Sequence, residues 1–202
     1  MSVAIIDYGM GNVASVQKAL NYLNIPSRVT KDSNEIAESK FIILPGVGSF
    51  RQGINNLKKD GLFDFLTQQV QEKKKPFLGV CLGMQLIASR GTEPFETGGL
   101  NWIDGEVIKI EAAGKRVPHL GWNNIDTRNK KYFTNLTNTD FYFIHSYHFK
   151  VAEEICISAT VNYGIDLVAC VQKENIFATQ FHPEKSQEAG LKVLKNFFEL
   201  NA

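Results

Sequence analysis

Short apolar runs alternate with helix-like spacings over the first 90 residues. Val3–Ile6 is a four-residue apolar run that ends in Asp7-Tyr8-Gly9-Met10-Gly11-Asn12, which predicts a buried strand feeding a glycine-rich turn. Val13, Val16, Leu20 and Leu23 then recur at helical spacing until Pro26 stops the segment. Phe41–Leu44 predicts a second strand, cut by Pro45-Gly46-Val47-Gly48. Leu62, Phe63, Leu66 and Val70 mark a helix fading into a lysine run. Phe77–Val80 predicts a third strand, and Leu82–Ser89 a helix directly after it. Buried strands alternating with helices indicate an α/β domain with a parallel sheet covered on both faces.

Beyond Gly99 the pattern changes. Val107–Ile110, Phe141–His148, Ile155–Val161, Leu167–Gln172 and Ile176–Phe181 are rich in β-branched and aromatic residues and predict strands. A last amphipathic helix is expected from Ser186 to Asn201, with Ser186 as N-cap and Leu191, Leu194, Phe197 and Phe198 on one face. No repeat or long linker interrupts the chain, so residues 1–202 are expected to form a single domain with a strand-rich second half.

Composition narrows the function classes. The 202 residues fit a prior of about 150 residues per domain, and 44% hydrophobic with 21% charged residues is typical of a folded globular chain. A formal net charge of +1 supplies no overall basic field for nucleic acid or an anionic membrane. No apolar stretch approaches the roughly 18 residues of a membrane span, and the N-terminus lacks the pattern of a signal peptide. Cys81, Cys156 and Cys170 cannot all pair, and their spacing suggests no zinc site. Reduced thiols in a cytoplasmic-type compartment, with no metal and no cofactor, are the expectation.

One of the three thiols has a distinctive setting. Gly79-Val80-Cys81-Leu82-Gly83 lies between an apolar strand and a helical segment, the thiol form of a G-x-S-x-G nucleophile elbow. Flanking glycines allow backbone to approach closely, and the N-terminus of the following helix favours a thiolate. Cys156 in Ile-Cys-Ile and Cys170 in Ala-Cys-Val read as core. A cysteine nucleophile needs an imidazole and a group to orient it. Of four histidines, His182 ends a strand in Gln180-Phe181-His182-Pro183-Glu184, and two-residue spacing in extended backbone points His182 and Glu184 the same way. His145 and His148 read as structural, alternating on one strand.

Cys81 in Gly-Val-Cys-Leu-Gly-Met-Gln with His182-Pro-Glu184 resembles the class I, triad-type glutamine amidotransferases. The runs Asp7–Asn12, Pro45–Phe50, Pro118–Asn123, Phe143–Tyr147 and Gln180–Ser186 resemble, in order and over nearly the whole chain, the glutaminase subunits of imidazole glycerol phosphate synthase. The resemblance implies a flavodoxin-like fold with a mostly parallel central sheet flanked by helices. It also implies that Cys81 attacks the glutamine amide, that His182 shuttles the proton and that Glu184 orients it. Backbone N–H groups of Leu82 and Val47 would hold the oxyanion. Gly46, Gly48, Gln85, Ser146 and Tyr147 would bind glutamine. Asn12, His119, Trp122, Asn123 and Lys185 would face a partner, a (β/α)8-barrel cyclase in a heterodimer, which closes the imidazole ring in histidine synthesis with the ammonia made here. The whole chain is then occupied by the glutaminase fold, and the acceptor must be bound elsewhere.

Arg90–Gly99 departs from the commonest form of that family, and Asn101–Glu106 with the tail of Phe141–Phe149 resembles a paralogous branch. That branch supplies ammonia to a cyclase-like barrel for amidino sugars of surface polysaccharides. A stand-alone thiol hydrolase of the same architecture and a non-catalytic binding module are further alternatives. The intact triad speaks against the last, and Pro118–Asn123 with Lys185 against a stand-alone enzyme.

Overall fold

The computed structural model describes residues 2–202. Its first half is built from strand–helix units: β1 (Val3–Ile6), α1 (Val13–Tyr22), β2 (Ser27–Thr30), α2 (Ser33–Glu38), β3 (Phe41–Gly46), α3 (Phe50–Lys59) and α4 (Leu62–Thr67). A five-residue π-helical turn, Gln68–Glu72, continues α4 before β4 (Phe77–Cys81) and α5 (Leu82–Leu86). Two short strands, β5 (Arg90–Gly91) and β6 (Thr97–Gly98), precede β7 (Gly105–Lys109), β8 (His119–Thr127), β9 (Asp140–His145) and β10 (Tyr147–Val151). The chain closes with β11 (Ile157–Asn162), β12 (Asp166–Lys173), β13 (Ile176–Thr179) and α6 (Gln187–Leu200).

Nine strands form one sheet in the order β2-β1-β3-β4-β13-β12-β11-β8-β9. The pairings from β2 through β13 are parallel and those from β13 to β9 antiparallel. The expected parallel sheet is therefore one half of a mixed sheet. A second, four-stranded sheet runs β10-β7-β5-β6. Alternation along the buried parallel strands sorts the core into two layers. Val3 and Ile5 with Phe41 and Ile43 pack under α1 and α6. Ala4 and Ile6 with Ile42 and Leu44 pack under α2, α3, α4 and α5. Continuous apolar runs make such strands because both faces are covered.

Several expectations are corrected. Phe141–His148 is not one strand: it breaks at Ser146, sending β9 and β10 into different sheets, so His145 and His148 belong to different elements. The helix after Cys81 ends at Leu86, not Ser89. Ile155–Val161 begins with a 3-10 turn, Glu154–Cys156, before β11. Ser186 does not cap α6 with its side chain. Its Oγ instead donates to the His182 carbonyl at 2.6 Å and accepts from the Tyr142 N–H at 3.0 Å, tying the segment after β13 to β9. No helix among the described residues is long and apolar enough to cross a membrane.

Candidate active site

The parallel strands deliver their C-terminal ends to one rim, the usual position of a site in an open α/β sheet. There the β4–α5 junction places Cys81 at φ 53° and ψ −108°, a left-handed conformation that L-residues rarely adopt. The junction is held by close backbone packing. A Cβ on Gly79 would lie 2.9 Å from the Gly83 carbonyl oxygen, and one on Gly83 would collide with the Leu44 carbonyl oxygen. Only glycine at both positions lets the strand turn this sharply into the helix. Cys81 is 6% exposed, at the floor of a cleft of about 370 Å³ lined by Val47, Gly48, Gln85, Glu93, Ser146 and Tyr147 among others.

His182 and Glu184 come from the segment after β13 and lie buried, outside the lining of this cleft. Pro183–Lys185 forms a 3-10 turn rather than the extended backbone expected, and the turn still brings His182 Nδ1 to 2.8 Å from Glu184 Oε1. Both side chains are 2% exposed. Burial alone would lower the His182 pKa. The nearby Cys81 sulfur in its charged form and then the Glu184 carboxylate outweigh it and raise the ring from 6.5 to about 10. His182 Nε2 makes no hydrogen bond in this conformation, and the influence of the sulfur on the ring marks Cys81 as its neighbour. Proton-transfer contacts in resting sites commonly tighten only when substrate binds. Burial raises the Cys156 and Cys170 thiols above their ordinary range.

The sulfur has two other neighbours. Sγ lies 3.9 Å from the Ile144 carbonyl oxygen, to which the thiol can donate, and Gln180 Nε2 donates to it at 3.7 Å. Gln85 uses its amide NH2 to donate to the Tyr147 carbonyl and to Gln180 Oε1, both at 3.0 Å. Of the Gln85 amide, the oxygen is therefore the atom left to meet a ligand. Leu82, the first residue of α5, brings an N–H that has no intrahelical acceptor. Val47 is different: its N–H donates to the Met10 carbonyl at 2.6 Å and is not offered to the cleft in this conformation. Gly46 is buried under Leu82 and the Tyr8 hydroxyl, which leave no room for a Cβ.

The residues expected at a partner surface separate into two groups. Trp122 is 43% exposed and lies edge-on to Tyr142, over whose ring the exposed Lys185 ammonium sits at 5.9 Å. Asn12 and Asn123 are half-buried. His119 is fully buried, stacked on Phe143 and Tyr163 with centroids 4.7 and 4.1 Å away, so it cannot touch a partner. Two residues escaped the sequence reading. Glu93 carries a carboxylate into the cleft, where Oε2 accepts from the Phe50 N–H at 3.1 Å. Gln180 lies in the recognised run Gln180–Ser186 but has no residue-level signal of its contact with the sulfur. Among the described residues, no cluster of His, Cys, Asp and Glu is arranged to hold a metal ion.

Comparison with known proteins identifies the family. Residues 4–200 match the family model for class-I glutamine amidotransferases. The chain is 46% identical over 200 residues to "Imidazole glycerol phosphate synthase subunit HisH" of Moorella thermoacetica, covering 98% of this chain and 94% of that one. It is 44% identical over 201 residues to "Imidazole glycerol phosphate synthase subunit HisH 1" of Campylobacter jejuni strain RM1221, covering 98% and 100%. A solved structure described as a glutamine amidotransferase superposes with a TM-score of 0.77 at 21% identity, covering 98% of both chains. The PurLQS structure from Thermotoga maritima gives 0.75 at 17%, also covering 98% of both. At those identities the structural likeness speaks to the fold alone. The chain belongs to the class I glutamine amidotransferase family, in the branch that holds the HisH subunits of imidazole glycerol phosphate synthase.

Proposed function

We propose that this chain is a glutaminase subunit that hydrolyses L-glutamine to glutamate and ammonia through a thioester on Cys81. The ammonia then passes to a separate barrel-shaped cyclase subunit that makes imidazole glycerol phosphate. The observation that carries the reading is Cys81 on a strained elbow in a cleft with room for one amino acid, together with the buried His182–Glu184 pair whose ring the sulfur acts on. His182 Nε2 has already taken the thiol proton when Sγ attacks the side-chain amide carbon, and that proton leaves on the departing ammonia. Water then attacks the thioester with His182 as base, releasing glutamate and regenerating the thiol. Glu184 keeps the proton on Nδ1, so that Nε2 faces the sulfur as an acceptor. Glu93 is suited to the α-ammonium of glutamine, and Ser146 and Tyr147 to its polar end.

The need for a second chain has two supports. Val47 and Ile144 at the cleft mouth, with Leu120 and Trp122 on β8, form an exposed apolar rim. Leu120 and Ile144 face each other directly across the β8–β9 register. Such rims mark protein contacts. The Val47 N–H, held by Met10, also withholds one oxyanion donor in the free chain, and one such donor is worth about 2.7–4 kcal/mol of barrier. Glutamine hydrolysis by the chain alone is therefore slow, and seating of the partner near Asn12, in the same turn as Met10, accelerates it. Reduced thiols fit a reducing, cytoplasmic-type compartment. The names of the relatives favour imidazole glycerol phosphate over an amidino sugar as the product of the complex.

The test is the Cys81→Ala variant in the reconstituted complex. It loses glutamine-dependent turnover and keeps turnover driven by added ammonium salt. Loss of both activities, or glutamate release that survives the substitution, would remove the thioester mechanism.

A further inference from the structure

A line of buried polar groups crosses the molecule from β8 to the nucleophile. Asn123 Nδ2 lies 2.7 Å from His119 Nε2, and His119 Nδ1 lies 2.9 Å from His145 Nε2. His145 Nδ1 lies 2.8 Å from the Tyr147 carbonyl oxygen. That oxygen also receives Gln85 Nε2, which donates as well to Gln180 Oε1, and Gln180 Nε2 reaches Cys81 Sγ. A carbonyl can only accept, so His145 carries its proton on Nδ1 and accepts on Nε2. His119 must then donate from Nδ1 and accept on Nε2 from the Asn123 amide. Every donor meets an acceptor, and the tautomer of each ring is dictated by the next group in line. Burial pushes His119 down to about 4 and His145 to about 3, so both rings stay neutral at physiological pH and keep these roles.

We propose that His119 and His145 are positioning residues for Cys81, acting through this unbroken chain to place the Gln85 and Gln180 amides and hold the sulfur for attack. The inference rests on the glutaminase reading above and deepens it. The Tyr147 carbonyl is the pivot. It sits just after the break at Ser146, in the first residue of β10, whose backbone is held opposite Lys109 of β7, and its partners are the side chains of His145 and Gln85. The His145 N–H is its anchor on the β9 side and the Gln85 N–H its anchor on the α5 side. Without the former, the carbonyl keeps its place in β10 but loses one of its two donors, the Gln85 and Gln180 amides re-settle around it, and the Gln180 donor shifts from the sulfur. His119 is held by ring stacking on Phe143 and Tyr163, so it presents its Nδ1–H to His145 in a fixed direction. Buried chains of this kind hold their members more firmly than isolated bonds do.

The experiment uses the full-length chain in two assays. His145→Leu keeps bulk and removes both hydrogen bonds. His145→Asn returns a donor at the position of Nδ1 and restores the anchor on Tyr147. The first readout is the rate at which iodoacetamide alkylates Cys81 in the free chain at neutral pH, followed on the Cys81 peptide by mass spectrometry. The second is kcat and KM for glutamine hydrolysis in the complex. His145→Leu is expected to slow Cys81 alkylation and to lower kcat by about tenfold or more, the size typical when an outer partner of a functional ligand is lost, with KM changed much less. His145→Asn recovers most of both, and His119→Leu falls between. The buried Cys156 and Cys170 are internal controls, because a merely loosened core would speed their labelling. Unchanged Cys81 alkylation and kcat in His145→Leu would overturn the proposal, as would faster labelling of Cys156 and Cys170 with no recovery in His145→Asn. If the wild-type complex releases no glutamate, the glutaminase reading fails on its own, and the alkylation series still decides whether the chain orders the sulfur.

Discussion

Replacing Glu184 by glutamine probes the triad with the least steric change. The carboxylate and the ring are both 2% exposed and 2.8 Å apart, so solvent cannot replace the missing charge. Two effects add. The neutral amide no longer favours a protonated ring, which removes one of the groups that raise His182 towards about 10. An amide N–H aimed at Nδ1 also forces the proton onto Nε2, the tautomer that cannot accept from the thiol. Loss of the correct tautomer costs about three to four orders of magnitude in kcat, or about 4–5.5 kcal/mol of transition-state stabilisation. Glutamate release by the complex in a coupled assay should fall by that factor, while ammonium-driven turnover stays at the wild-type level. Stability carries a matching signature. Because the folded value of His182 lies above its ordinary 6.5, its protonated form contributes stability that is complete below about pH 6.5 and lost as pH rises through about 10. The wild-type advantage in urea unfolding over Glu184→Gln should thus be largest near pH 6 and narrow towards pH 10. Activity within about threefold of wild type, or an advantage that widens with pH, would refute the assignment of Glu184.

Three further outcomes follow from the same geometry. Gly83→Ala drives a methyl into the Leu44 carbonyl and should cost about 3 kcal/mol, or roughly 6–12 °C in Tm by calorimetry. Glu93→Gln keeps an acceptor for the Phe50 N–H but loses the charge, so KM for glutamine should rise about 10- to 100-fold with kcat within about threefold, read from initial rates. Trp122→Ala removes an exposed ring, so the Tm of the free chain should stay within about 2 °C, while its affinity for the barrel subunit by titration calorimetry drops about tenfold or more.

The parallel half was legible because burial on both faces leaves continuous apolar runs, as in β1, β3 and β4. The elbow was legible because glycines flank a cysteine at a strand–helix boundary. His182 and Glu184 were found by their spacing, although the backbone between them is a 3-10 turn. Elements with a wet face escaped. β2 is a half-exposed edge strand, Ser-Arg-Val-Thr, and β8 alternates apolar with asparagine and glycine because one face meets solvent or a partner. For α3 the signal was present: Phe50, Gly53, Ile54 and Leu57 are buried at helical spacing behind the Ser49 N-cap. The roles of His119, Glu93 and Gln180 depend on side chains meeting across elements, Gln180 and Cys81 being 99 residues apart in sequence. No local pattern records such a meeting.

The central claim concerns one sulfur. A diazo-ketone analogue of glutamine, added to the wild-type chain with its barrel partner and followed by peptide mass spectrometry, tests it most directly. The account predicts a single adduct on the Cys81 peptide, prevented by excess L-glutamine, with Cys156 and Cys170 unmodified. An adduct on another residue, or none with the partner present, would contradict it.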